Sequence, residues 1–241
     1  DAHGSFENYK VMKAKLFETL SHTTKKRFRG KYFPKTIIAN ADSEFAPFFL
    51  SFPADKKVSY SIETESDNKA QNILPNENGV NFEIGQEKYS IGIPGVFNVY
   101  NALPAISVGQ LFDVDSDKIK KGLSDLHIIP GRMEEIKEGQ KFRVFVDYAH
   151  EKQSMTYVVE AAKYLKNLEG KTIVLLGAEG GGRDKGKRAI MGEIVGKHAD
   201  VVVVSNVDPY EDDPTPIVED IACASEACGK VRGQNLFVIE D

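Results

Sequence analysis

Residues 172–198 read TIVLLGAEGGGRDKGKRAIMGEIVGKH, and this stretch decides the fold. Thr172–Leu176 is a short apolar run rich in branched side chains, as a buried strand requires. Glycines from Gly177 to Gly182 break the run, and helical spacing follows from about Arg188 to Lys197. The same alternation extends on both sides. Phe142–Asp147 reads as a strand, Lys152–Leu165 as a helix, Val201–Ser205 as a strand, Pro216–Cys228 as a helix and Leu236–Ile239 as a fourth strand. Continuous Val/Ile/Leu strands alternating with helices predict an α/β unit, Rossmann-like, with a mainly parallel sheet covered on both faces.

Upstream the pattern is different. Ser5 is placed to cap a helix over Phe6–Leu20, with Phe6, Tyr9, Leu16, Phe17 and Leu20 at helical spacing. Thr36–Asn40 and Val58–Thr64 read as strands. Ile73–Ile93 reads as two or three antiparallel strands with a turn at Gly85-Gln86, and Gly95–Gln110 and Ser116–Leu123 as helices. The Ile128-Ile129-Pro130-Gly131 stretch is the best linker, which predicts two domains, 1–130 and 131–241.

The chain has 241 residues, with 31 Lys+Arg against 36 Asp+Glu and a net charge of −5. That balance argues against a general nucleic-acid binder, which needs a basic face. No apolar run reaches the roughly 18 residues of a membrane-spanning helix, so no membrane insertion is expected. Two cysteines, Cys223 and Cys228, exclude a disulfide framework or a four-cysteine zinc site and suit a reducing cytoplasm. The chain opens on DAHGSFENYK and closes on LFVIED straight after a strand; both ends read as truncation points of a longer protein.

Several constellations could carry chemistry. The glycine loop follows a strand and precedes a helix, where open α/β sheets bind ligands. Gly181–Lys187 nearly fits a phosphate-binding loop, but Arg188 stands where a hydroxyl is needed for magnesium. Arg183, Lys185, Lys187 and Arg188 would then aim at an anion, phosphate or carboxylate; a solvated basic turn is the bland alternative. Asp147-Tyr-Ala-His150 ends a strand and can face a ligand or cap a helix. Arg132, at the domain junction, can contact a nucleotide or form a salt bridge. Asn98 and Asn101 can read a purine edge or cap a helix, and spacing alone favours the caps. Lys13 lies on or beside the apolar face of the first helix. Its default is a half-buried, snorkelling lysine; the alternative is an amine modified to a metal-binding anion.

Taken in order, DAHGSFENYKVMKAKLF, IIANADS, GVFNVYNALPA, PGRMEEI, VFVDYAH, LLGAEGGGRDKGKRAIMGEI and SNVDPYEDDPTPIVEDI resemble the Mur ligase family over essentially the whole chain. The closest branch is the one that adds the third residue to UDP-N-acetylmuramoyl-L-Ala-D-Glu in peptidoglycan precursor synthesis. The resemblance implies the later part of a central ATPase domain (1–130), followed by a C-terminal Rossmann-like domain truncated at its end (131–241). It implies an ATP-dependent C–N ligase that uses ATP and Mg2+, takes the UDP-dipeptide and a free amino acid, and works as a cytoplasmic monomer through an acyl phosphate.

Residue by residue, Lys13 aligns with the family's carbamylated, magnesium-holding lysine. Asn101, Arg132 and Asp147 align with ATP contacts, with His150 and Lys187 in a second line. Arg183 aligns with an arginine near the incoming amino acid's carboxylate. The diaminopimelate signature Asp-Asn-Pro-Arg reads Val207-Asp208-Pro209-Tyr210 here, so Asp208 and Tyr210 imply a lysine-like substrate instead. Glu151-Lys152 replaces the usual Thr-Pro after DYAH. The family's phosphate loop and other metal ligands would lie before Asp1, which implies that these 241 residues alone lack ligase activity. Two rival readings are a folylpolyglutamate-synthase-like ligase and a non-catalytic nucleotide- or peptide-binding module.

Overall fold

The computed structural model describes residues 4–28, 30–166 and 169–240. The chain divides into two compact units, residues 1–128 and 129–241.

In the first unit, helix α1 (Phe6–Leu20) starts where the sequence predicts, because the Ser5 hydroxyl accepts from the Asn8 N–H at 3.1 Å. Its apolar stripe is not a buried face. Ala14 is its buried residue, whereas Phe6 is 58% and Leu16 75% exposed. Phe17 does pack on Phe49, with ring centroids 4.7 Å apart.

A short ribbon, β1 (Arg27–Phe28) with β2 (Lys31–Tyr32), precedes β3 (Thr36–Asn40). Then come α2 (Ala46–Leu50), β4 (Lys56–Ser61), β5 (Asn68–Asn76), β6 (Gly79–Ile84), β7 (Glu87–Ile91), α3 (Phe97–Leu111) and α4 (Ser116–Ser124). The sheet order is β3-β4-β5-β6-β7, parallel through β3-β4-β5 and antiparallel from β5 to β7. Helix α3 lies across it and buries Val99, Ala102, Leu103 and Ile106, while Ile37, Val58, Val80, Phe82 and Ile91 are buried on the sheet.

Strand β4 ends at Ser61, before the expected Thr64, and Asp42 supplies the reason. Its carboxylate accepts from the backbone N–H groups of Ile62 (2.7 Å), Glu63 (3.1 Å) and Thr64 (2.8 Å), and from the hydroxyls of Thr64 and Tyr100. Those N–H groups are therefore unavailable to a ladder. Burial by itself would raise the Asp42 pKa, but these donors outweigh it and hold the carboxyl well below the usual carboxylate range.

Asp42→Asn, which turns one acceptor into a donor facing N–H groups, is expected to destabilise the first unit by about 2–3 kcal/mol. An unfolded aspartate titrates near 3.9, above the folded group. The stabilisation is therefore complete above that value and is lost as pH falls through the folded pKa. Urea unfolding at neutral pH and at about pH 3 checks this: the gap between the native chain and the variant should shrink in acid.

In the second unit, β8 (Glu134–Ile136) pairs antiparallel with β9 (Val144–Val146). The predicted strand 142–147 is thus shorter and sits in a separate two-stranded ribbon, not in the parallel sheet. Glu135 holds Arg143 across this ribbon at 2.7 Å. Beyond it come α5 (Lys152–Leu165), β10 (Ile173–Leu176), α6 (Gly186–His198), β11 (Val201–Val204), α7 (Pro214–Ala227) and β12 (Leu236–Val238). The sheet order β10-β11-β12 is parallel throughout.

Leu176, Val202, Val204 and Leu236 form one core cluster with Met155 and Val159 of α5, Met191 and Val195 of α6, and Ile217 and Ile221 of α7. Ile173 and Leu175 alternate with these inward positions and are 65% and 68% exposed. Among the described residues the sheet is therefore covered on one face and not on both. The monotone strand order accounts for this, because right-handed crossovers in one direction place their helices on one side.

Candidate active site

The carboxyl ends of β10 and β11 run into two loops that are joined by backbone contacts. Glu179 and Asp208 form a parallel bridge, and the Gly180 N–H donates to the Asp208 carbonyl at 2.9 Å. The backbones approach so closely that a Cβ on Gly180 would lie 2.2 Å from the Pro209 carbonyl oxygen. Glycine is required there. The Gly181 N–H donates to the Asp212 carboxylate at 2.9 Å, and the Tyr210 N–H to the Asp208 carboxylate at 3.0 Å. Tyr210 adopts a left-handed backbone, φ +53°, and its ring lies against Gly181. A non-glycine residue in that region stores strain that its surroundings must offset.

This joining brings three predicted substrate residues together. The Arg183 Nε lies 3.5 Å from the Glu179 carboxylate. Tyr210, as its hydrogen-bond neighbour, and Glu179, as its counter-charge, raise the Arg183 pKa. Arg183 is a solvent-facing cation held at the mouth of the loop, with Tyr210 beside it and Asp208 in the next turn.

Arg188 differs from its expected role as an anion-seeking arm. It is 3% exposed, and its two terminal nitrogens are engaged, Nη1 with Asp220 at 3.2 Å and Nη2 with the Glu179 carbonyl at 3.4 Å. It braces the inside of the loop. Lys187 is also largely buried, 3.6 Å from Glu151. The same Glu151 carboxylate lies 3.8 Å from His150 Nε2, while His150 Nδ1 contacts the Tyr148 carbonyl at 2.8 Å. Glu151 also forms a capping box with Ser154 at the start of α5. His150 and Lys187, far apart in sequence, thus meet at Glu151.

Asp147 clamps the PGR and DYAH stretches, accepting from the Met133 N–H and the Ala149 N–H at 2.8 Å each. Each carboxylate oxygen keeps a second lone pair for a ligand hydroxyl. Arg132 is exposed, with its guanidinium 6.0 Å from the Tyr148 ring centroid. In the first unit Asn101 is exposed on α3 and donates to Asn98 Oδ1 at 3.1 Å, while buried Asn98 donates to the Pro94 carbonyl. Asn98 therefore acts as the brace and Asn101 as the presented amide.

Lys13 is exposed, with Nζ 5.3 Å from the Tyr9 ring centroid, so the half-buried lysine expected from the sequence is not found. Among the described residues no group of three or more His, Cys, Asp or Glu side chains could hold a metal ion. An ammonium repels a dication, so Lys13 as a free amine does not fit magnesium, and only its carbamate would offer oxygen ligands.

Sequence reasoning missed four residues that shape these loops and helix starts: Asp42, Glu179, Asp212 and Asp220. Asp42 lies within the IIANADS motif, and an acidic side chain just beyond a buried strand was the available signal.

Residues 1–109 match the family model described as "Mur ligase middle domain", and residues 131–241 match "Mur ligase, glutamate ligase domain". The chain belongs to the Mur ligase family. A UDP-N-acetylmuramyl-tripeptide synthetase of Roseiflexus sp. is 32% identical, with all of this chain and 48% of that protein aligned. A UDP-N-acetylmuramoyl-L-alanyl-D-glutamate--2,6-diaminopimelate ligase of Clostridium perfringens is 34% identical, over all of this chain and 46% of that protein. Among solved structures, the UDP-N-acetylmuramate-alanine ligase MurC of Thermotoga maritima superposes with a TM-score of 0.70 at 17% identity, covering 98% of this chain and 48% of that one. That likeness supports the Mur ligase fold. The chain spans about half the length of the curated relatives it matches. No helix among the described residues is long and apolar enough to cross a membrane.

Proposed function

We propose that this chain is part of an ATP-dependent ligase that adds a lysine-like amino acid to UDP-N-acetylmuramoyl-L-Ala-D-Glu, as a monomer in the cytoplasm. The joined loops support this reading most strongly, because they hold Arg183 beside Tyr210 at the carboxyl ends of parallel strands, where α/β sheets bind ligands. Arg183 grips the α-carboxylate of the incoming amino acid, and Glu179 orients the guanidinium. Tyr210 stands where an arginine would bind a second carboxylate, and it offers a hydroxyl instead. Glu179, Asp208, Glu211 and Asp212 make the surroundings acidic, which repels the far carboxylate that distinguishes diaminopimelate from lysine, while the ε-ammonium the two share is attracted alike.

As ATP contacts, Asn101 of the first unit is assigned to the base, and in the second unit Arg132 and Asp147 are assigned to ribose and phosphates, with Lys187 and His150, which meet at Glu151, as a second line of contacts. The carboxylate of the UDP-dipeptide takes the γ-phosphoryl group of ATP to give an acyl phosphate and ADP. The amino acid's amine attacks the acyl carbon, loses a proton, and phosphate leaves. Magnesium, when bound, offsets charge on the transferring phosphoryl group.

Two measurements test this reading. In a protein extended to the length of the relatives, ADP release should require both the UDP-dipeptide and an amino acid, and the 241-residue chain alone should release none. ADP release that depends on a folate glutamate instead would overturn the assignment. Lys13 is the proposed carbamylated residue. Among the described residues nothing buries its amine, so intact mass of the 241-residue chain should show no added carbon dioxide, and one added on Lys13 in the extended protein. An unmodified Lys13 in the active extended protein would remove it from the metal site.

A further inference from the structure

The β1–β2 ribbon has no part in the chemistry above, and its composition is unusual for this acidic protein. From Thr19 to Ala41 the chain carries Lys25, Lys26, Arg27, Arg29, Lys31 and Lys35 and no Asp or Glu. The ribbon interleaves these cations with aromatics: Arg27 pairs across with Tyr32, and Phe28 with Lys31. Phe28 is 53% and Tyr32 66% exposed. Phe33 anchors the ribbon by stacking on Phe112, centroids 4.3 Å apart, and Phe28 meets the edge of the same ring at 6.3 Å. Phe112 itself is 45% exposed, with Val108 at 43% and Val114 at 42% near it at the end of α3.

Lys56 and Lys57 open β4 opposite Thr36 and Ile37, adding two exposed cations at this end of the sheet. Asp55 pairs with Lys25 at 3.1 Å, Asp113 pairs with Lys31 at 3.2 Å, Asp67 lies within charge range of Lys56, and Asp115 caps α4. Lys35 is half-buried and donates to the Ser21 carbonyl at 2.6 Å, so among the described residues the cations of the patch without an acidic partner are Lys26, Arg27 and Lys57. The patch lies at the amino ends of the parallel strands and the carboxyl end of α3. Asn101 is roughly 16 Å away along that helix, so the patch is separate from that proposed nucleotide contact.

We propose that this patch adsorbs to an anionic lipid surface. Lysine and arginine at a rim draw in lipid phosphates, and Phe28, Tyr32 and Phe112 enter the headgroup layer, as at membrane interfaces generally. Single-stranded nucleic acid would use the same cations and rings. The aliphatic Val108 and Val114, however, offer no stacking face and suit a lipid surface better. Adsorption of this kind buries a few side chains and inserts no helix.

The test is co-sedimentation of the full chain with vesicles of phosphatidylcholine alone or with a phosphatidylglycerol admixture, at low and high ionic strength. Binding to the anionic vesicles only, weakened by salt, is expected. Lys26→Gln with Arg27→Gln should weaken it about 30-fold. Phe28→Ser with Tyr32→Ser, which leaves the Phe33–Phe112 stack in place, should weaken it again while the unfolding midpoint holds. Equal binding to neutral vesicles would overturn the proposal, as would binding unchanged in both variants, which would point to the bare sheet face at Ile173 and Leu175. Tighter binding to a uridine oligomer than to anionic vesicles would assign the patch to nucleic acid and also overturn it.

Discussion

Arg183→Ala in the extended ligase is expected to lower kcat/KM for the amino acid on the order of 10²-fold while leaving KM for ATP near its original value. A carboxylate loses a charge-assisted, geometrically matched partner, and such contacts typically carry effects of that size. The loss should fall mainly on KM for the amino acid, because the α-carboxylate is bound in both ground and transition states. Arg183→Lys keeps the charge but not the fork, so it should recover only part of the affinity. Steady-state kinetics with each substrate varied separately reads the split. An unchanged amino-acid KM would show that Arg183 serves only to balance Glu179, its partner at 3.5 Å.

Tyr210→Arg is expected to move the preference from lysine toward diaminopimelate, again on the order of 10²-fold in the ratio of kcat/KM values. The substitution supplies the missing cation for the second carboxylate, the one group diaminopimelate has and lysine lacks. The backbone already tolerates a side chain at φ +53° in this position, so the new residue meets no strain that Tyr210 does not. Arg183 would lose its phenol neighbour and gain a like charge, but Glu179 and Asp208 stand close enough in the joined loops to offset it. Parallel kinetics with the two amino acids check the outcome, and an unchanged ratio would place the specificity contact elsewhere.

Much of this architecture was legible in the sequence because local signals agreed. Helix α1 begins and ends where Ser5 and the spacing from Phe6 to Leu20 predict. The strand at Thr36–Asn40 matches to the residue. The departures have physical causes that a linear reading does not carry. Strand β4 stops at Ser61 because Asp42, some twenty residues earlier, takes the N–H groups that would extend it. Strand β9 leaves the parallel sheet because residues 134–136 compete for it as an antiparallel partner.

The site divides in the same way. The sequence marked Arg183, Asp208 and Tyr210, but not that Glu179 and Asp208 would bridge their loops. It grouped Arg188 with the loop cations. Burial and the Asp220 pair turn that residue inward, a distinction among neighbouring cations that only packing makes. Lys13 shows the converse: a lysine on an apolar stripe is half-buried only if the stripe is covered, and Phe6 and Leu16 are exposed.

The central claim is that these loops belong to a ligase adding a lysine-like residue to UDP-N-acetylmuramoyl-L-Ala-D-Glu. Its most direct test is the mass of the product. The extended protein is given the UDP-dipeptide, ATP and Mg2+ together with L-lysine, L-ornithine, L-alanine and meso-diaminopimelate at equal concentration. The account predicts one ADP per tripeptide formed and a dominant lysine adduct. A dominant diaminopimelate adduct would contradict the reading of Tyr210, and the absence of any adduct despite ADP release would contradict the ligase itself.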